Sequence, residues 1–245
     1  MSRSFSLRRQ VLAFIPPTLI AASLLVSVAS SVTAQDSATP VPMGLVQEAE
    51  NLPECTPAEI GALPEGMDAA VVYAIVPEES TARYRVQEEL AQVGENEAVG
   101  ETQAIIGQFG FGEDGLPLSC SRFDVDLRTL QSDQAKRDNY LYRNTLEAET
   151  YPLATFVLRD VEGIDAPLAD GQETTLRLIG DLTLRDVTKL VAWEAKVTVV
   201  DGALTGTAAT MFEMPDFGIE PPSVPVLLSL DETIRLEVDL TARPV

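Results

Sequence analysis

SCSRFDVDLRTLQSDQAKRDNYLYRNTLEAETYPLATF, residues 119–156, holds three kinds of local structure in succession. At its start Phe123, Val125 and Leu127 alternate with Arg122, Asp124, Asp126 and Arg128. That two-residue period belongs to an antiparallel strand with one face buried and the other in water. From Gln131 the alternation stops, and the polar run to Glu149 predicts a helix over about 132–147. Ser132 or Asp133 is its candidate N-cap, and Asp133 lies four residues ahead of Arg137, a favourable charge pair on a helix. Tyr151-Pro152 ends it, because the residue before proline is pushed out of the α region. LATFVLRDV (153–161) then resumes as a strand.

Outward from this stretch the chain reads as further strands, at 71–76, 81–90, 102–111, 173–184, 188–200, 203–213 and 232–242. Ile234, Leu236, Val238 and Leu240 alternate with Arg235, Glu237 and Asp239 as cleanly as the strand at 119–128. Asp201-Gly202 between two strand runs signals a two-residue hairpin, and Asp114-Gly115 marks a looser turn. The predicted fold is all-β: an antiparallel barrel of about eight strands with one inserted α-helix, since closure removes exposed sheet edges. At this strand number side chains either fill the interior or leave room for one small ligand. Small residues in ALTGTAATMF (203–212), with Gly206 and Ala208 on one face and Thr205, Thr207 and Ala209 on the other, fit both readings.

The candidate cavity wall comprises Phe123, Val125, Leu127, Phe156, Leu176, Leu178, Trp193, Ile234 and Leu236, apolar positions on alternating strand faces. PDFGIEPPSVPVLLSLDE (215–232) is a long connection whose prolines limit regular structure. Phe217 and Ile219 give it apolar surface to line a cavity mouth.

Residues 1–34 read as an export signal: Arg3, Arg8 and Arg9, an apolar run from Val11 to about Val28, and Val32-Thr33-Ala34 before Gln35. Residues 35–70 form a proline- and glutamate-rich extension with one short helix expected at Thr56–Leu63, and 71–245 form the barrel. The expected product is periplasmic or extracellular, with no membrane span after processing. In an oxidising compartment the two cysteines, Cys55 and Cys120, are expected to pair and hold the extension against the outside of the barrel. The full chain carries a net charge of −21; the segment before Gln35 holds three basic and no acidic residues, so the remainder carries −24. Such a field repels phosphate backbones, which argues against a nucleic-acid partner.

The chain has no histidine, hence no imidazole base, no Ser-His-Asp triad and no histidine metal ligand. Adjacent acids such as Glu78-Glu79 and Glu88-Glu89 point to opposite faces of a strand and cannot act together. No catalytic residues, metal site or cofactor are expected.

Four blocks carry a family resemblance: YAIVPEESTARYRVQEEL (73–90), VDLRTLQSDQAKRDNYLYRNTLEAETYPLATFVL (125–158), IGDLTLRDVTKLVAWE (179–194) and DFGIEPPSVPVLLSLDETIRLEVDL (216–240). In order and spacing they resemble the YceI-like family of exported proteins, whose lipocalin-like barrel binds polyisoprenoid lipids. The resemblance implies a non-catalytic carrier of a polyprenyl or quinone-type lipid. The alternative, from a different class, is an exported stress-response or protein-interaction module with a filled barrel and no lipid.

Overall fold

A computed structural model describes residues 44–46 and 51–245; the proposed export signal and residues 35–43 lie outside them. The strands are β1 (Gly44–Leu45), β2 (Val71–Ile75), β3 (Thr81–Leu90), β4 (Gly94–Thr102), β5 (Ile105–Phe111), β6 (Arg122–Asp126), β7 (Gln131–Ser132), β8 (Leu153–Glu162), β9 (Thr174–Leu184), β10 (Val187–Val200), β11 (Ala203–Glu213), β12 (Leu227–Leu230) and β13 (Thr233–Pro244). Among the described residues one α-helix, α1 (Ala135–Tyr140), runs into a π turn at Leu141–Thr145.

These elements close into an up-and-down antiparallel barrel of eight staves. The first stave is β2 and β3, interrupted by a 3-10 turn at Pro77–Glu79; both halves pair with β13. The second is β4 and β5, which pair with β3 and β2 respectively. The third is β6 and β7, parted by a 3-10 turn at Leu127–Thr129. Then β8, β9, β10, β11 and β13 follow, each paired with its neighbour, and β13 returns to the first stave. Asp201 and Gly202 both have positive φ (51° and 76°), as a two-residue hairpin turn between β10 and β11 requires.

Four expectations need correction. β4 was not anticipated, and the strand expected at 102–111 is confined to 105–111. Its inward positions are small because Tyr84 lies across them: a Cβ at Gly100 would sit 2.3 Å from Tyr84 Cε1. A stave with alanine and glycine on its inner face shows no hydrophobic alternation. The helix expected over 132–147 is shorter: Ser132 pairs with Gly100 in β7, and Gln134 occupies the N-cap without a side-chain hydrogen bond. Asp138 instead accepts hydrogen bonds from both the amide and the hydroxyl of Ser132. The connection at 215–232 also carries more structure than expected, with a 3-10 turn at Met214–Phe217 and β12 paired to β3.

No helix forms at Thr56–Leu63, because barrel side chains take the backbone groups that a helix would use. Arg122 donates to the Ala58 carbonyl at 2.7 Å, Asp124 accepts from the Gly61 amide at 2.7 Å, and Gln108 accepts from the Leu63 amide at 3.2 Å. Arg159 donates to the Pro53 carbonyl. The segment is thereby strapped to the outer face of β5, β6 and β8. Cys55 and Cys120 form a disulfide across the strap, closing a loop of 65 positions. A crosslink of that length stabilises by about 4 kcal/mol through restriction of the unfolded chain.

Candidate binding cavity

Two chambers, stacked end to end, occupy the barrel interior. The helix-end chamber, about 130 Å³, is walled by Val125, Leu127, Leu182, Leu184, Ile234 and Leu236 among others, with Leu141, Thr145 and Leu146 of the helical segment across its end. The far chamber, about 90 Å³, lies toward Phe109, Pro117, Leu176, Leu178, Leu204 and Leu240. Phe123, Phe156, Trp193 and Val238 line both. The alternation explains the placement: charged neighbours such as Arg83, Arg85 and Glu237 pair on the outer surface.

All nine residues proposed for the wall face a chamber. Phe123, Val125, Leu127, Phe156, Trp193, Ile234 and Leu236 line the helix-end chamber, and Leu176 and Leu178 line the far one. Of the two mouth residues, Ile219 lines the helix-end chamber. Phe217 is not at a rim: it is fully buried and packs edge-to-face on Phe212, ring centroids 4.5 Å apart. Met214, Phe217 and Ile219 therefore plug the barrel end beside the helix.

Sequence reasoning missed Tyr84, Leu130 just after the 3-10 turn, Leu141 at the start of the π turn and Leu146 just past it. Tyr84 was legible in principle, since Ala82, Tyr84 and Val86 alternate with Arg83 and Arg85. The three leucines were hidden in a polar segment. With Tyr84 and Leu127 they also border a polar groove of about 520 Å³ formed by residues 127–142 and Leu146. A carbon-lined chamber thus adjoins a polar groove at the helix end.

Two arginines latch that end. Arg137 of α1 reaches Glu88 on β3 at 2.6 Å and also pairs with Asp133, while Asn96 donates to the same Glu88 oxygen. Arg185, in the β9–β10 turn, pairs with Glu147 just past the π turn and donates to the Gly218 carbonyl. Arg137, singled out in the sequence, is thus a helix-to-barrel dock.

Among the described residues, Tyr84 Oη, Thr145 Oγ1 and Trp193 Nε1 are buried on this wall without a hydrogen-bond partner. Burial pushes the Tyr84 phenol up to about 12, with Asp138, Glu88 and Asp133 adding to the rise and Arg137 opposing it. A folded-state value raised above the unfolded one means stability that is complete below pH ~10 and lost as pH rises through ~12. Two units correspond to roughly 2–3 kcal/mol. Denaturant unfolding across that window should show the loss in the native protein and a smaller one in Tyr84→Phe; equal losses would place the ionisation elsewhere.

The walls of both chambers are almost entirely carbon, which suits an apolar chain. Among the described residues no cluster of three or more histidine, cysteine, aspartate or glutamate side chains is arranged for a metal ion. No helix among them is long and apolar enough to cross a membrane.

The model of the YceI-like domain matches residues 73–242. UPF0312 proteins of Pseudomonas putida are 30% identical over 139 residues, which is 53% of this chain and 66% of theirs. Their Vibrio cholerae counterparts are 31% identical over 121 residues, 46% of this chain and 60% of theirs, so the chain spans just under two thirds of these relatives. Among solved structures, a polyisoprenoid-binding domain from Saccharophagus degradans superposes with a TM-score of 0.56 at 15% identity, covering 71% of this chain and 98% of that one. BcnA of Burkholderia cenocepacia gives 0.54 at 14% identity, covering 68% and 98%. At these identities the likeness is one of fold.

Proposed function

The chain belongs to the YceI-like family, and we propose that it is an exported binding protein, not an enzyme, that carries an isoprenoid lipid of polyprenyl or quinone type. One observation carries the reading: a carbon-walled chamber inside the barrel adjoins a polar groove, which matches an apolar tail joined to a polar head. The tail would enter the helix-end chamber and the head would rest in the groove under α1, rather than beside residues 215–232. Export rests on the basic and apolar start of the chain, and the disulfide suits an oxidising compartment.

The energetics permit this without polar recognition along the tail. Each enclosed methylene contributes about 0.8 kcal/mol, so an isoprene unit of four such groups contributes roughly 3. Three units give roughly 9 kcal/mol before the costs of ordering the tail and losing translation. Micromolar binding corresponds to about 8 kcal/mol, so a few enclosed units and a head-group contact suffice. The hollow interior weighs against a filled-barrel interaction module.

Lipid extraction from natively purified protein, analysed by mass spectrometry, should yield an isoprenoid in near-stoichiometric amount. Trp193 is the single tryptophan of the chain and lines both chambers, so its emission should be quenched when long-chain quinone is added to delipidated protein. No isoprenoid in the extract and no change in emission would return the filled-barrel module to first place.

A further inference from the structure

The two chambers meet at a shared wall. Between them stand three aromatic rings from three staves: Phe123 on β6, Phe156 on β8 and Trp193 on β10. Their centroids are 5.2, 5.9 and 6.2 Å apart, and the Trp193 ring meets both phenylalanines edge-on. We infer that this aromatic partition is a length gauge for the bound tail. A tail that fits the helix-end chamber is taken without rearrangement, whereas a longer one must turn the rings aside to reach the far chamber. The inference rests on the carrier reading and adds a specificity element to it.

Three features of the partition support the role. It sits mid-barrel: along β8, Ala154 faces the helix-end chamber, Leu158 the far chamber, and Phe156 between them faces both. Its seat is made on the neighbouring stave, where a Cβ at Gly180 would lie 2.4 Å from Phe156 Cζ, so only glycine leaves the ring its place. And it is held by apolar contact: the Trp193 indole N–H has no hydrogen-bond partner among the described residues. A ring pinned by a hydrogen bond would have to break it to move; this one does not. The far chamber is the reward for moving it, because its lining is as apolar as that of the first.

The test is a chain-length series. Binding of geraniol, farnesol, geranylgeraniol and solanesol to the delipidated mature protein would be measured by equilibrium dialysis with labelled alcohols, and compared with Trp193→Ala. Affinity in the native protein should climb over the shortest tails and then level off. In Trp193→Ala it should continue to climb, with the longest alcohols gaining about tenfold or more over the native protein, since each enclosed methylene adds to affinity. Trp193→Phe, which keeps a smaller ring in the partition, should restore the levelling-off that Trp193→Ala loses. If Trp193→Ala does not fold by circular dichroism, Phe156→Leu opens the same partition. A native protein whose affinity rises smoothly to solanesol, with the opened variant indistinguishable from it, overturns the gauge and leaves the carrier intact. Failure of every alcohol to bind either protein overturns both.

Discussion

Phe123→Asp should abolish isoprenoid binding, and among single substitutions in the cavity it should have the largest functional effect. Phe123 lines both chambers, so a carboxylate there meets any tail that enters from the helix end. A charged carboxylate facing carbon, with no partner to offset its lost hydration, costs several kcal/mol. It would keep its water, and the water would fill the space that the tail needs. The expected loss is about a hundredfold or more in affinity for a long-chain quinone, since each 1.4 kcal/mol is tenfold. The readout is Trp193 emission during titration, with Phe123→Leu as the control that keeps the wall apolar. Because the charge also strains folding, Leu236→Gln on the opposite side of the helix-end chamber provides a milder second test. Quenching retained in both folded variants would mean that the lipid lies elsewhere, most simply in the groove under α1.

Most of the barrel was legible because each long stave writes its two environments into alternate residues. β13 was recognised almost to the residue for that reason, whereas β11, with small residues on both faces, was bounded by the Asp201-Gly202 turn before it. β4 was not recognised, since its inner face is Ala98 and Gly100, whose smallness becomes intelligible only with Tyr84 lying across them. The break in the first stave was legible as two runs, 71–76 and 81–90, but their union into one stave, with both halves paired to β13 across the 3-10 turn at Pro77–Glu79, was not. For the cavity, facing could be read and geometry could not. Phe123, Phe156 and Trp193 each announced an inward position, but their meeting across three staves, and hence the partition, is a tertiary fact. The helical segment is half legible: docking by Arg137 could be read from its charges and is made to Glu88, whereas Leu141 and Leu146, which close the chamber, lay hidden among polar neighbours.

Asp124 shows how far alternation can mislead, and the second large effect is expected there. On β6 it occupies the outer face with Arg122 and Asp126, the side that the pattern assigns to water. Yet its side chain is wholly inaccessible, covered by residues 53–63, which lie some sixty positions earlier. Four donors converge on it: Arg122 Nε and Nη2 at 2.8 Å each, the Thr155 hydroxyl at 2.6 Å and the Gly61 amide at 2.7 Å. Asp124→Ala should cost about 3–5 kcal/mol, because it leaves the Arg122 guanidinium largely buried without its counter-charge. For a domain of this size that is a fall in melting temperature of about 10 °C. Asp124→Asn should cost less, since an amide oxygen still accepts from some of these donors. Removing both charges with Arg122→Met and Asp124→Leu should recover much of the loss, as buried ion pairs often exchange with apolar groups at little cost. The disulfide gives the experiment its second half. With Cys55–Cys120 intact, the strap stays tethered after Asp124→Ala and the loss appears as lowered stability. Once the disulfide is reduced, the same variant should release residues 51–70 to proteolysis while the barrel resists. Equal resistance of the reduced native protein and the reduced variant would show that the carboxylate does not hold the strap, and that Pro53, Ala58 and Leu63 suffice through their own contacts with Arg159, Arg122 and Gln108.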